Sequence, residues 1–184
     1  MQCTELPLPG LALLEPRTFG DARGSFFEVW NERTLAGVGI SARFVQENQS
    51  RSARGVLRGL HYQKPQAQGK LVRVIAGRLF DVVVDLRRGA GHFGRWHGLT
   101  LSAESRQSLW VLAGFAHGFL VLSEFADVVY AVTDYYAPQS EHTLAWNDPG
   151  LGIAWPLADA GVAAPLVSPK DARGLALATA PAFD

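Results

Sequence analysis

The chain has 184 residues, of which 48% are hydrophobic, a length and composition that suit a globular fold with a substantial core. Its 17 basic and 17 acidic side chains cancel, so no overall field favours nucleic acid or an anionic membrane, and an anion site would need a local charge cluster. Cys3 has no partner for an internal disulfide, and neither a signal peptide nor the roughly 18 apolar residues of a membrane span is visible, so we expect a cytoplasmic protein.

Strand patterns separated by turn residues dominate the chain from residue 23 onward. In chain order they cover residues 23–30, 42–50, 55–63, 70–77, 78–86, 108–112, 118–122 and 127–133. Only residues 31–38, and less clearly 159–164, have a helical pattern. The short spacing and the tight join at Gly77–Arg78 favour hairpins, which predicts an antiparallel sandwich or jelly-roll β-barrel with few short helices.

No internal repeat, low-complexity tract or linker divides the chain. Residues 1–184 are therefore predicted to form a single jelly-roll domain. The segment after Pro156, rich in alanine and proline, is expected to pack outside the barrel.

The strand RLFDVVVDL alternates in chemical character along its length. Phe80, Val82 and Val84 share one face, whereas Asp81 and Asp85 share the other. This alternation predicts an antiparallel strand that is buried on one face only.

The stretch GVLRGLHYQ, residues 55–63, has the pattern of a buried strand but contains Arg58 and His61. A separation of three residues sends two side chains to opposite faces of a regular strand. Gly59 lies between them, and a bulge there would turn both toward the same side. The alternative is a histidine bonded to a backbone carbonyl and an arginine that reaches solvent.

Other polar and aromatic side chains lie in phase on the predicted strands. They are Gln46 with Asn48, Phe26 with Glu28 and, if the last strand continues, Tyr130 with Tyr136. Small barrels bind ligands in the mouth or interior, so inward positions would place these residues at a site. Outward, solvated positions explain each pair equally well.

Long motifs follow one another along almost the whole chain. They are DARGSFFEVW (21–30), FVQENQSRSARGVLRGLHYQ (44–63), GKLVRVIAGRLFDVVVDLR (69–87), FGRW (93–96), LAGFAHGFLVL (112–122), VVYAVTDYYAPQSEHTLAWNDP (128–149), IAWP (153–156) and SPKDA (168–172). In this order they resemble the dTDP-4-dehydrorhamnose 3,5-epimerase family, whose fold is a cupin-like jelly roll. So many ordered motifs are far more specific than one short pattern.

The resemblance implies a substrate, a dTDP-linked 4-keto-6-deoxyhexose, and a reaction that inverts carbons 3 and 5 through an enolate. His61 matches the family base and Asp171 the aspartate that orients it. Lys70 is expected near the ketone oxygen, and Tyr130 matches the proton donor on the opposite face. Such proton transfers need neither a metal nor a nicotinamide cofactor.

The same resemblance implies how the nucleotide is bound. Planar guanidinium groups bind diphosphate in a bidentate way, which suits arginine. The matching positions are Arg23, Phe26, Glu28, Gln46, Asn48, Arg58, His117 in the sugar pocket, Tyr136 against thymine, Glu141 and Lys170. His92, His97 and His142 have no match and are expected at the surface. The family also implies a homodimer in which Arg23 or Phe26 serves the neighbouring subunit's site.

Three alternatives are weighed against this interpretation. A metal cupin is disfavoured because its usual His-x-His is missing, His61 being followed by Tyr62 and Gln63. A non-catalytic sugar-nucleotide binding module would not need a base and an acid on opposite faces. An epimerase that acts at carbon 3 or carbon 5 alone shares nearly all the motifs and stays open. Gln49 and the short C-terminal tail depart from the family pattern without deciding between these enzymes.

Overall fold

The computed structural model describes all 184 residues as thirteen β-strands, one α-helix and three short 3-10 turns. The strands are β1 (Gln2–Glu5), β2 (Leu11–Glu15), β3 (Thr18–Asp21), β4 (Gly24–Phe27), β5 (Gln46–Ala53), β6 (Leu57–Gln63), β7 (Lys70–Ala76), β8 (Arg78–Asp85), β9 (Trp96–Ser102), β10 (Ser108–Val111), β11 (Phe115–Val121), β12 (Phe125–Val132) and β13 (Glu141–Thr143). Helix α1 covers Glu32–Gly37, and the 3-10 turns cover Arg88–Ala90, Pro138–Ser140 and Asp171–Arg173. No helix is long and apolar enough to cross a bilayer.

Two antiparallel sheets make up the body of the molecule. One has six strands in the order β1-β2-β10-β7-β12-β5, and the other has five in the order β13-β6-β11-β8-β9. Strands β3 and β4 form a separate hairpin. The predicted mostly β, antiparallel jelly-roll fold is confirmed.

The main core lies between the inner faces of the two sheets. Val72 and Leu109 from the six-stranded sheet join Leu79, Val83 and Phe115 from the five-stranded sheet in one cluster of buried side chains. Burial of a side chain of this size contributes about 1.5–3 kcal/mol. The apolar side chains on the inner faces of these strands therefore hold the two sheets together.

A second apolar layer covers the outer face of the five-stranded sheet. Val82 and Val84 of β8 pack there against Leu151, Leu177 and other side chains of the C-terminal third of the chain. The tail is anchored by backbone bonds, since the Phe183 amide donates to the Leu86 carbonyl at 2.8 Å. The segment after Pro156 thus packs on the outside of the sheets, as predicted.

This outer layer corrects the interpretation of strand β8. The strand is buried on both faces because the tail covers Val82 and Val84, while Asp81 and Asp85 point inward and have 0% exposure. Each aspartate has a partner in the interior: Asp81 binds His117, and Asp85 binds Arg87. The prediction of a half-buried strand was wrong, since alternation alone does not reveal what covers each face.

The other elements follow the predictions with some exceptions. Helix α1 is confirmed, and Asn31 caps it by accepting a bond from the Thr34 amide at 2.7 Å. Residues 159–164 form turns instead of a helix. Five strands, β1, β2, β3, β9 and β13, were missed because their sequences lack a clean alternation, and β5 begins at Gln46, later than predicted.

The predicted irregularity at Gly59 is confirmed. His61 lies opposite His117 and Arg58 lies opposite Phe119, so β6 has one residue more than β11 across this interval. Gly59 has φ +119°, a conformation that side chains disfavour. A Cβ there would also lie 2.7 Å from the Gly118 Cα, closer than real contacts allow.

We therefore predict that Gly59→Ala lowers the free energy of unfolding by about 3 kcal/mol, because both the backbone angle and the neighbouring strand resist a side chain. Gly37→Ala is the control, since a Cβ at Gly37 meets nothing within 4 Å and its φ is ordinary. Urea denaturation of both variants is the measurement. Equal stability of the two would contradict the role assigned to the bulge.

Candidate active site

A cavity of about 350 Å³ opens between the two sheets and has a mostly polar lining. Ten of the residues singled out in the sequence line it: Gln46, Asn48, Arg58, His61, Lys70, His117, Tyr130, Tyr136, Glu141 and Lys170. They come from both sheets and from the loops at one end. The volume lies within the range that small-molecule sites occupy.

His61 and Asp171 form a tight pair on the five-stranded side of the cavity. The His61 Nε2 lies 2.5 Å from the Asp171 Oδ1, and the carboxylate is 3% exposed. Burial, the largest single effect, raises the pKa of Asp171, but the hydrogen bond and charge of His61 together with the bonds to Ser168 and Gly59 outweigh it, and the pKa is lowered. An ionised carboxylate only accepts hydrogen bonds, so Nε2 carries the proton and Nδ1 is left to act as a base.

The bulge at Gly59 makes this pair possible. The Gly59 amide donates to Asp171 at 3.4 Å, and Ser168 Oγ accepts from the Asp171 amide at 3.1 Å. Arg58 and His61 both line the cavity, as predicted from the bulge. The Arg58 Nε donates to Ser52 Oγ at 2.8 Å, which leaves the rest of the guanidinium available to an anion.

Lys70 lies on β7, in the six-stranded sheet, and its ammonium is buried. Its Nζ donates to the His61 carbonyl at 3.2 Å. Burial lowers the pKa of Lys70 to about 8, although the charges of Asp81 and Glu141 partly offset it. A cation in this position can stabilise an oxyanion beside the histidine.

Tyr130 lies on β12, also in the six-stranded sheet, and therefore on the wall opposite His61. Burial raises the pKa of its phenol, against the nearby charge of Arg58. The hydroxyl thus keeps its proton at neutral pH and can donate it. A group that can accept a proton, His61, and a group that can donate one, Tyr130, therefore line the same cavity from different sheets.

A second histidine–carboxylate pair lies beside the first. The His117 Nε2 is 3.0 and 2.9 Å from the two oxygens of Asp81, and His117 is paired across the strands with His61. Sequence reasoning identified His117 but missed its partner. The signal was an aspartate in phase with Leu79 and Val83, which would be expensive to bury without a partner.

The open end of the cavity holds a hydrogen-bonded network. Glu141 accepts from Lys170 Nζ at 2.8 Å and from the Tyr136 hydroxyl at 3.0 Å. Burial, the largest single effect, raises the pKa of Glu141, but the hydrogen bonds from Lys170 and Tyr136 and the charges of Lys170 and His61 together outweigh it, and the pKa is lowered. Tyr136 lies beyond the end of β12 and not on it, and its amide donates to Gln46 Oε1 at 3.0 Å. Its ring is 53% exposed and can stack on a flat ligand.

Gln63 supports this loop and was not singled out in the sequence. Its amide nitrogen donates to the carbonyls of Gln66 and Tyr135, at 2.8 and 3.2 Å, and its oxygen accepts from the Ala137 amide at 2.9 Å. The side chain is 4% exposed. Buried glutamine is uncommon, but its place in the sequence gave no sign of its partners.

Three proposed substrate-binding residues lie outside the cavity. Arg23 is on the β3–β4 hairpin and binds Asp21 at 2.5 Å, and Phe26 on the same hairpin is 70% exposed. Glu28 follows the hairpin and accepts from Asn31 at 2.6 Å. Within one chain these residues do not reach His61.

The remaining histidines were expected at the surface, and they are only partly exposed. His92, His97 and His142 are all half-buried. The His142 Nε2 lies 3.2 Å from the Lys64 carbonyl oxygen. No group of three or more His, Cys, Asp and Glu side chains is arranged to hold a metal ion.

A jelly roll whose polar cavity has a histidine–aspartate pair on one wall and a protonated tyrosine on the other has the groups expected of an enzyme that moves protons on a small polar substrate. The family model for dTDP-4-dehydrorhamnose 3,5-epimerase matches residues 5–179, and the chain belongs to this family.

Individual relatives agree with this assignment. The chain is 56% identical over 184 residues to the dTDP-4-dehydrorhamnose 3,5-epimerase of Pseudomonas aeruginosa, covering 100% of this chain and 99% of that protein. It is 46% identical, with a TM-score of 0.92, to the Legionella pneumophila dTDP-6-deoxy-D-glucose-3,5-epimerase crystallised with dTDP-4-keto-L-rhamnose, over 98% of this chain and 94% of that one. A 3'-monoepimerase from Streptomyces bikiniensis, in complex with dTDP-quinovose, is 36% identical with a TM-score of 0.87, over 95% and 87% of the two chains.

The site predicts an alkaline limb in the pH profile. We expect kcat/KM to fall as pH rises through about 8, because Lys70 loses its proton there, whereas the raised pKa of Tyr130 keeps the phenol protonated. Lys70→Gln should lower the rate about 100-fold and remove this limb.

Lys64→Gln is the matched control, because Lys64 lies outside the cavity and should leave the limb in place. The measurement is kcat/KM from pH 6 to about 9.5. If the alkaline limb persists in Lys70→Gln, a group other than Lys70 causes it.

Proposed function

We propose that this protein epimerises a dTDP-4-keto-6-deoxyhexose at carbons 3 and 5, in deoxysugar biosynthesis of the dTDP-rhamnose type. The observation that carries this function is the pairing of His61 and Tyr130 across one cavity, each on a different sheet. Inversion at carbon requires removal of a proton on one side and return of a proton on the other. Membership of the epimerase family supports the same reaction.

The chemistry uses groups that the chain itself supplies. The sugar ketone acidifies the neighbouring C–H bonds, and His61 Nδ1 takes one proton while Asp171 holds the imidazole. Lys70 stabilises the enolate oxygen, and Tyr130 gives a proton to the opposite face of the same carbon. Tyr130 then regains a proton from solvent and His61 releases one. The oxidation state of the sugar does not change, so the reaction needs no redox cofactor.

Nucleotide binding is assigned to the open end of the cavity. Arg58 and Lys170 are the cations there that would meet the diphosphate, and the exposed Tyr136 ring would stack on thymine. Glu141, which accepts from both Lys170 and Tyr136, would hold these two groups in place. Gln46 and Asn48 line the same side and supply amide groups.

We further propose that the enzyme is a homodimer in which the β3–β4 hairpin completes the neighbour's site. Phe19 and Phe26 on this hairpin are 51% and 70% exposed, and no other sheet pairs with it. Exposed aromatic surface of this kind is typical of an interface. The positively charged Arg23 on the same hairpin would add to the cations that meet the diphosphate.

Deuterium exchange tests the reaction. In deuterated water with dTDP-4-keto-6-deoxyglucose, we expect label at both carbon 3 and carbon 5, located by NMR, because both carbons flank the ketone. Deuterium at only one of the two carbons would show that the enzyme is a single-site epimerase. Absence of label at both would exclude this substrate.

Two variants separate the acid from the base. Tyr130→Phe should lower the yield of epimerised product about 100-fold but still allow deuterium to enter recovered substrate, because His61 can return an exchanged proton on the face it came from. His61→Asn should lose both exchange and epimerisation. Epimerised product at the parent rate from Tyr130→Phe would show that another group returns the proton.

Subunit complementation tests the shared site. A heterodimer of Arg23→Ala and His61→Asn chains should regain activity at one of its two sites, because one protomer keeps His61 and its partner keeps Arg23. A heterodimer of Tyr130→Phe and His61→Asn is the control and should stay inactive, since both groups come from the same chain. An Arg23→Ala and His61→Asn heterodimer without activity, or an active monomer in sedimentation, would contradict the proposal.

A further inference from the structure

Asp81 is a buried carboxylate that the mechanism above does not use. It lies on β8, its exposure is 0%, and its side chain bonds only to His117. Burial of a charged group costs several kcal/mol of desolvation, and an apolar residue of similar size is often as stable or more stable. Stability alone therefore does not explain why an aspartate occupies this buried position.

The geometry fixes the state of one nitrogen of His117. Both oxygens of Asp81 lie within 3.0 Å of Nε2, and an ionised carboxylate offers only acceptors. Nε2 therefore carries a hydrogen directed at Asp81. Nδ1 has no partner in the protein, and His117 lines the cavity. Asp81 therefore fixes the His117 ring through Nε2, and Nδ1 is available to a ligand.

The location of this pair links it to the reaction. His117 is paired directly with His61 across β11 and β6, so both rings project to the same side of the sheet. The charge of Asp81 also favours the protonated form of Lys70, whose pKa burial lowers, and Glu141 acts in the same direction. Asp81 thus acts on two groups beside the proposed base: it binds His117, and its charge favours protonated Lys70.

We propose that Asp81 is a positioning residue for the epimerisation: it holds His117 with Nε2 turned toward the carboxylate and Nδ1 turned into the cavity, beside Lys70, where the enolate oxygen forms. This role rests on the proposed function. Asp81 does not touch the sugar. It acts through His117 and, by its charge, through Lys70.

Asp81→Asn removes the charge with little change in shape. We expect kcat to fall roughly 10- to 100-fold while KM stays within about 3-fold, because the orientation of a group needed in the transition state is lost. Deuterium exchange should fall together with epimerisation, unlike in Tyr130→Phe, because enolate formation itself is slowed. The alkaline limb should move to lower pH, because the charge that favours protonated Lys70 is gone.

Asp85→Asn is the matched control. Asp85 lies on the same strand and face, also has 0% exposure and also binds a cation, Arg87, but its partner does not line the cavity. This variant should lose stability and keep kcat within about 2-fold. An equal loss of kcat in the two variants, or none in Asp81→Asn, would overturn the proposal.

A double variant tests whether Asp81 acts through His117. At pH 7, Asp81→Asn should lower kcat by no more than about 3-fold in a His117→Gln background, because residues that act as a unit are not additive. A further loss as large as in the parent would overturn the proposal.

Nitrogen-15 NMR of labelled histidines in the ligand-free parent gives a measurement that does not depend on turnover. We expect Nε2 of His117 to carry a proton across the assay range, with the signal assigned by its absence in His117→Gln. An unprotonated Nε2 would overturn the proposal. If the parent fails to turn over the sugar nucleotide, the proposed function fails, and this spectrum still decides whether Asp81 holds the ring as described.

Discussion

Strands β6 and β11 approach each other so closely at Gly59 and Gly118 that neither position has room for a side chain. A Cβ on Gly118 would lie 2.4 Å from the Arg58 carbonyl oxygen. The extra residue of β6 at this crossing turns Arg58 and His61 toward one cavity and places His61 opposite His117. The position of His61, its bond to Asp171 and its place opposite His117 all depend on this one contact.

The interior of the fold holds more charge than stability requires. Lys70, Asp81, Asp85 and Asp171 are all buried, and each has a hydrogen-bonded partner, as buried charges must. The Asp85–Arg87 pair lies outside the cavity, and the Arg87 guanidinium also packs over the Phe115 ring at 4.4 Å, which suits a structural role. Of the other three, Lys70 lines the cavity, and Asp81 and Asp171 bind histidines that line it. Charged groups held in place at a cavity in this way are typical of functional sites.

The tail and the N-terminal hairpin differ in how they relate to the site. The C-terminal segment covers the outer face of the five-stranded sheet and contributes Asp171, which binds His61 of the same chain. The β3–β4 hairpin extends away from the cavity with Phe26 largely exposed. A single chain therefore contains the groups for proton transfer, while part of the expected substrate-binding set lies elsewhere on its surface.

Alternation and turn residues are local properties of the chain, and they predicted the strand-rich fold, the helix at 31–38 and the bulge at Gly59. The resemblance to the family added the rest of the ten predicted residues that line the cavity. Tertiary structure decided the rest. Asp81 was mistaken for a solvent-facing residue because the layer that buries the other face of β8 comes from residues about 70 or more positions later. Gln63 was missed because its three partners lie in loops that only the folded chain brings together. Pairings across strands depend on register and covering layers, which no local pattern encodes.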